Sequence, residues 1–155
     1  MGIVATFTRV TEAELEKIAA DPGAMADLLG DRGYDEKPNG YLDKAWAGLA
    51  YLFERACLGV ELCYDGDLLC EEPALFGWSP DTVRYTADRL SHTPFTALAC
   101  YFDAEDMDAT EVYPPVWVRD GEELGLEYLG GHYTALVHFF THAAKSNSAA
   151  IFSLG

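Results

Sequence analysis

Apolar positions near the N-terminus follow a strand pattern. Residues 2–9, Gly-Ile-Val-Ala-Thr-Phe-Thr-Arg, are β-branched and aromatic with alternation emerging at Phe7, which predicts a first strand. Thr11 and Glu14 then take the Thr-x-x-Glu spacing of a capping box ahead of Leu15 and Ile18, so a helix begins there. Asp21-Pro22 ends it and opens a second helix with Met25, Leu28 and Leu29 on its buried side. Gly30 to Gly40 is rich in Gly, Asp and Asn and reads as a loop.

The most apolar stretch is Leu42 to Phe53. Trp46, Leu49, Ala50 and Phe53 recur at i, i+3, i+4 and i+7, and Leu42, Ala45, Leu49 and Leu52 form a second stripe beside them. Polar residues stand only at the ends, Asp43 and Lys44 in front, Glu54 and Arg55 behind. A helix apolar over so much of its circumference is covered on most sides. It is expected to be the central core helix, ending near Cys57 to Gly59, with Asp43 capping its start.

The pattern weakens after it. Asp65-Gly66-Asp67 reads as a turn, Leu68 to Cys70 as a helical turn or short strand, and Gly77 to Pro80 as loop. Thr82-Val83-Arg84-Tyr85 resembles a short strand, with Thr86 capping a helix through Leu90. Pro94 opens a helix in which Phe95, Leu98, Ala99 and Phe102 share a face; Asp103 to Thr110 is acidic and turn-like around Met107. Val112 to Trp117 carries two prolines and is an ordered loop or edge segment. The last helix runs from Glu122 to Ala144, with Leu129, Tyr133, Leu136 and Phe140 as its buried stripe and a kink or break expected at Gly130-Gly131. Ala149 to Leu154 closes the chain as a strand. The class is therefore α+β: one compact domain over residues 1–155, a small sheet using both terminal strands, and several helices around a central apolar one.

Charge narrows the function. With 26 acidic and 10 basic residues the formal net charge is −16. Such a surface repels nucleic-acid phosphates and anionic membranes, and favours fast encounter with a basic partner. No apolar run approaches the ~20 residues that span a bilayer. Met1-Gly2 with Thr6 meets a loose acylation pattern, but these residues fit a strand better. No export signal is visible, and Cys57, Cys63, Cys70 and Cys100 contain no C-x-x-C pair, so the expectation is reduced thiols in the cytoplasm.

No motif supplies a catalytic centre. His138 and His142 are four apart but fall opposite the buried stripe, and no Glu follows the first of them. Gly77-Trp78-Ser79-Pro80-Asp81 lacks the second glycine of a nucleophile elbow, which leaves Ser79 a loop residue. Asp65-Gly66-Asp67 is too short for a calcium loop, and neither glycine-rich nucleotide motif is present. No catalytic residue, metal or cofactor is expected. Two groups remain as candidate binding residues: Tyr113 and Trp117 in their proline-rich segment, and Asp43 with Lys44 and Trp46. Rigid aromatics of this kind line pockets or plug the core, and the second role is the commoner one.

Three blocks together resemble the YfbM-like family, small bacterial proteins of unknown function. Leu42-Asp43-Lys44-Ala45-Trp46-Ala47-Gly48-Leu49 is similar to its "LDKAWDGLHYLL" block, Val112 to Trp117 to its "IYPxIW" block, and Leu126 onward to its closing helix and strand. Ala47 and Ala50 stand where that family often has Asp and His, so any chemistry of that pair is lost here. The resemblance implies an α+β cytoplasmic protein and carries over no catalytic residue.

The leading expectation is thus a non-enzymatic binding protein whose acidic surface meets a basic protein, in the manner of an immunity protein. The alternative is a small-molecule-binding protein, or an enzyme of unrecognised class, with a cleft near Trp46, Tyr113 and Trp117.

Overall fold

The computed structural model describes residues 2–155; Met1, where the acylation pattern starts, lies outside them. In chain order the elements are β1 (Ala5–Val10), α1 (Glu12–Ala20), a 3-10 turn (Pro22–Ala24), α2 (Met25–Leu29), α3 (Arg32–Asp35), β2 (Gly40–Asp43) and α4 (Trp46–Arg55). There follow β3 (Asp67–Cys70), β4 (Ala74–Trp78), α5 (Pro80–Ser91), α6 (Phe95–Ala99), α7 (Ala104–Ala109), α8 (Trp117–Asp120), α9 (Glu122–Lys145) and β5 (Ala149–Leu154). The strands form one antiparallel sheet in the order β2-β1-β5-β4-β3, with the two terminal strands side by side near its centre. This is the α+β arrangement.

Strand alternation divides the sheet between two cores. Ala5 and Phe7 of β1, Trp78 of β4, and Ala150 and Phe152 of β5 enter the larger one, shared with α4, α5 and α9. Val10, Leu75, Ala149 and Ile151 point the other way, where Ile18 of α1 and Leu29 of α2 cover them. Phe7 centres the larger core, with ring centroids 4.6 Å from Phe152, 4.9 Å from Trp78 and 5.0 Å from Phe140. On the smaller side, Arg32 bonds both oxygens of Glu14 at 2.8 Å and Arg9 pairs with Glu36, which ties α1 and α3 to β1. The Arg32 bonds hold the Glu14 carboxyl down at about 2.

Several elements follow their sequence signals closely. Thr11 and Glu14 complete the capping box, Thr11 Oγ1 accepting from Glu14 N at 3.1 Å and Glu14 Oε1 from Thr11 N at 2.9 Å. α9 and β5 start and stop within a residue of expectation, and α9 runs unbroken through Gly130-Gly131.

Others differ. Leu42 belongs to β2, so α4 begins only at Trp46, with Ala45 at its cap and no side-chain bond to the helix end. Asp43 is therefore not a cap. The stripe of Ala45, Leu49 and Leu52 is fully buried, whereas Trp46 and Ala50 are half-buried. Thr82 to Tyr85 is helix rather than strand, because Ser79 Oγ accepts from Thr82 N at 3.3 Å and Pro80 takes the first helical position. Thr86 is consequently buried within α5. Asp103 to Thr110 contains α7: Asp103 Oδ1 accepts from Asp106 N at 3.1 Å and Met107 supplies the buried contact.

Three helices close through a left-handed residue, Cys57 (φ 51°) after α4, Glu111 (φ 58°) after α7 and Asn147 (φ 52°) after α9. Each closure has the bond of a Schellman turn, such as Leu58 N to Phe53 O at 2.9 Å and Val112 N to Met107 O at 2.8 Å. Glycine would relieve the Cβ crowding of that conformation. Cys57→Gly and Glu111→Gly should each raise stability by about 0.5–1 kcal/mol in urea unfolding. A gain for Glu111→Gly alone would mark a charge effect instead.

Candidate functional site

The register of β2 slips beside the sheet edge. Phe7 pairs with Gly40 and Thr6 with Tyr41, but Ala5 pairs with Asp43, so Leu42 is the extra residue of a β-bulge. Leu42 drops into the core while Tyr41 and Asp43 stay half-exposed, the Tyr41 hydroxyl donating to Asp43 Oδ1 at 3.1 Å. Asp43 has φ 50°, outside any helix closure. A backbone bond from Ala45 N to Leu42 O at 2.9 Å closes the turn around it and leads into α4.

α9 supplies the other half. Tyr128 donates its hydroxyl to Asp43 Oδ2 at 2.7 Å and accepts the Lys44 backbone N–H at 3.2 Å. The Tyr128 bond foremost, helped by Tyr41 and the Lys44 backbone, holds the Asp43 carboxyl below its ordinary range despite partial burial. Burial, then the bond to Asp43 and its charge, push the Tyr128 hydroxyl well above its ordinary range. His132, one turn further along α9, stands edge-on to Tyr128 with centroids 4.9 Å apart. Asp43 is thus ionised, oriented by two phenols and held on a strained backbone, a combination that points to function more than to packing.

Two clefts meet at Tyr128. The first, of about 430 Å³, lies between α8 and the start of α9, with Lys44, Pro114, Trp117, Arg119, Leu124 and Tyr128 in its wall. The second, of about 640 Å³, lies beyond the ridge of Leu124 and Tyr128 and presents Asn39, Tyr41, Glu127 and His132. Trp117 floors the first cleft and is only 2% exposed. Its indole Nε1 donates to Val112 O at 2.8 Å, and its backbone N–H and that of Val118 donate to the Asp108 carboxylate at 3.3 and 3.0 Å.

The five candidate binding residues separate into distinct roles. Trp117 and Lys44 line the first cleft, and Asp43 lies behind it, holding Tyr128. Trp46 and Tyr113 stack on each other at 6.0 Å and line neither cleft. Instead they tether the N-terminal segment: Trp46 Nε1 donates to Ile3 O and Ile3 N donates to the Tyr113 hydroxyl, both at 2.9 Å. Tyr128, Leu124 and Arg119 were not singled out by sequence. Their one signal is that Leu124, Tyr128 and His132 repeat every four residues beside the buried stripe of α9.

A larger depression, of about 720 Å³, contains Cys57, Asp88, Arg89 and His92. There the His92 and Asp88 side chains are 76% and 72% exposed, and no buried partner orients them for chemistry. His138 is exposed and His142 half-buried. Among the described residues no group of three or more His, Cys, Asp and Glu is arranged to hold a metal.

Because Asp43 has a depressed carboxyl pKa, its bonds contribute stability above the ordinary value of 3.8, and that contribution is lost as pH falls through the lowered value. Tyr128→Phe should therefore cost about 1 kcal/mol near neutral pH. The gap to wild type should shrink in acid, as measured by urea unfolding from pH 7 down to pH 3. An equal gap at every pH would mean that the hydroxyl matters for packing only.

Comparison with curated proteins finds no match. Among solved structures, the crystal structure of YfbM from Escherichia coli, a protein of unknown function, superposes with a TM-score of 0.69 at 17% identity. It covers 98% of this chain and 99% of its own, and that likeness shows the fold. The family model described as a domain of unknown function (DUF1877) matches residues 1–153, and the chain belongs to that family.

Proposed function

We propose that this protein binds a small molecule in the clefts on either side of Tyr128. The observation that carries this reading is the Asp43–Tyr128 pair, a left-handed carboxylate fixed by two phenols behind a concave, largely apolar surface. Concavity with a few held polar groups is what a ligand site needs and a flat protein interface does not. The reading is of binding, because both Asp43 oxygens are occupied by hydroxyl donors. Free thiols at Cys57 and Cys100, both exposed, support a reducing cytoplasmic compartment.

Charge favours a second reading, a basic protein partner. Only Glu14, Glu36, Asp81 and Asp120 of the 26 carboxylates are paired with an arginine or lysine among the described residues, so the acidic surface is largely uncompensated. Such an attraction acts through long-range steering and is screened over about 8 Å at physiological salt.

Leu124 separates the readings, since it is 59% exposed and borders both clefts. Saturation-transfer NMR with a fragment library should return binders to the wild type whose signal is lost in Leu124→Trp, which fills the ridge. Absence of binders, or binders indifferent to the substitution, would contradict the cleft reading. Capture of a basic protein equally by both forms would favour the second.

A further inference from the structure

The cleft between α8 and α9 has a local charge opposite to that of the molecule. The chain has 10 basic residues against 26 acidic, yet two of the ten, Lys44 and Arg119, border this one depression. The sole carboxylate in its wall is Asp120, bound to Arg119 Nε at 2.9 Å. Lys44 and Arg119 against Asp120 leave the lining itself with one net positive charge (2 − 1 = 1), while the ionised Asp43 behind Tyr128 is taken up by the two phenols. Lys44 makes no ion pair among the described residues, in contrast to Arg9, Arg32 and Arg84, which are matched to Glu36, Glu14 and Asp81. The second cleft has no lysine or arginine in its wall and includes Glu127, so of the two clefts that meet at Tyr128 only the first has a positive wall.

The rest of that wall has little hydrogen bonding to offer. The Tyr128 hydroxyl is committed to Asp43 and the Lys44 backbone, and the Trp117 indole N–H to Val112, so both residues present ring surface. Pro114, Val116 and Leu124 complete the apolar part of the same wall. Cations at the rim of an apolar and aromatic wall suit an anion attached to an apolar body, the wall taking the body and the solvent-accessible cations its charged group.

We infer that this cleft selects a small organic anion, a single carboxylate, sulfonate or phosphate on an aromatic or aliphatic body. Lys44 and Arg119 take the charged group, and Tyr128, Leu124 and Pro114 take the body. This rests on the small-molecule reading above and adds the ligand class to it. Selection by the cleft runs against the whole-protein field, which at −16 repels anions, so anion binding here is a local property.

A matched dye pair tests it. 8-Anilino-1-naphthalenesulfonate carries a sulfonate that N-phenyl-1-naphthylamine lacks, and both fluoresce in apolar surroundings. Wild type should bind the sulfonate more tightly than the neutral dye. Lys44→Gln and Arg119→Gln should each weaken the sulfonate by about fivefold and leave the neutral dye unchanged. Lys17→Gln, an exposed cation on α1, alters net charge equally and should leave both dyes unchanged. Circular dichroism establishes that each variant is folded. Equal binding of the two dyes, with neither cleft substitution acting selectively, overturns the anion assignment while leaving a small-molecule cleft intact. Equal weakening by Lys17→Gln overturns it too, as a bulk charge effect. Binding of neither dye overturns both readings.

Discussion

Trp117 can rest against α4 only because position 48 has no side chain. A methyl group on Gly48 would stand 2.7 Å from Trp117 Cη2 and 2.8 Å from Leu129 Cδ2, both deep in the larger core. Alanine is worth about 1 kcal/mol more than glycine in a helix interior, yet here its Cβ would collide with two buried neighbours. The missing side chain lets α4, α8 and α9 converge on one point. From that point α8 turns back at Gly121 (φ 87°), and the angle between it and the first turns of α9 is the cleft.

Asp43 provides a second constraint with a different cost. A left-handed aspartate costs roughly 1–2 kcal/mol relative to ordinary backbone, and the strand must carry a bulge to bring it there. Two phenolic hydrogen bonds to an ionised carboxylate offset a strain of that size. The result couples distant parts of the chain, since Asp43 and Lys44 on the sheet edge engage Tyr128 in the middle of α9. The bulge sets Tyr41 and Asp43, the adjacent turn sets Lys44, and α9 brings Tyr128 and Leu124. The ends of the two clefts differ chemically for the same reason: one meets Lys44 and Arg119, the other Glu127 and His132.

Elements whose signals are local were readable in the sequence. The Thr11 box, the terminal strands and the limits of α9 depend on short-range spacing, and tertiary packing agreed with it. Leu42 continues the Ala45, Leu49, Leu52 stripe by helical spacing, while β2 has only four residues in which to display alternation, so spacing alone predicts helix where the chain is strand. Thr82 to Tyr85 has strand-forming composition, but Ser79 and Pro80 in front of it are a helix start, and the cap prevailed over propensity. α7 was hidden by its acidity, since one buried residue, Met107, gives no period. The candidate site was readable only in part. Trp117 and Asp43 stood out by type, but the union of Asp43 with Tyr128 spans 85 positions and leaves no local pattern. Trp46 and Tyr113 share the same aromatic character, yet they serve to anchor Ile3.

The most direct measurement is a crystal structure of the protein soaked with small aromatic acids. Electron density between α8 and α9, against Tyr128 and Leu124 with its acid toward Lys44 and Arg119, is the predicted result. A cleft that stays empty at saturating ligand, or a ligand seated only in the depression around His92, would contradict the assignment of this site.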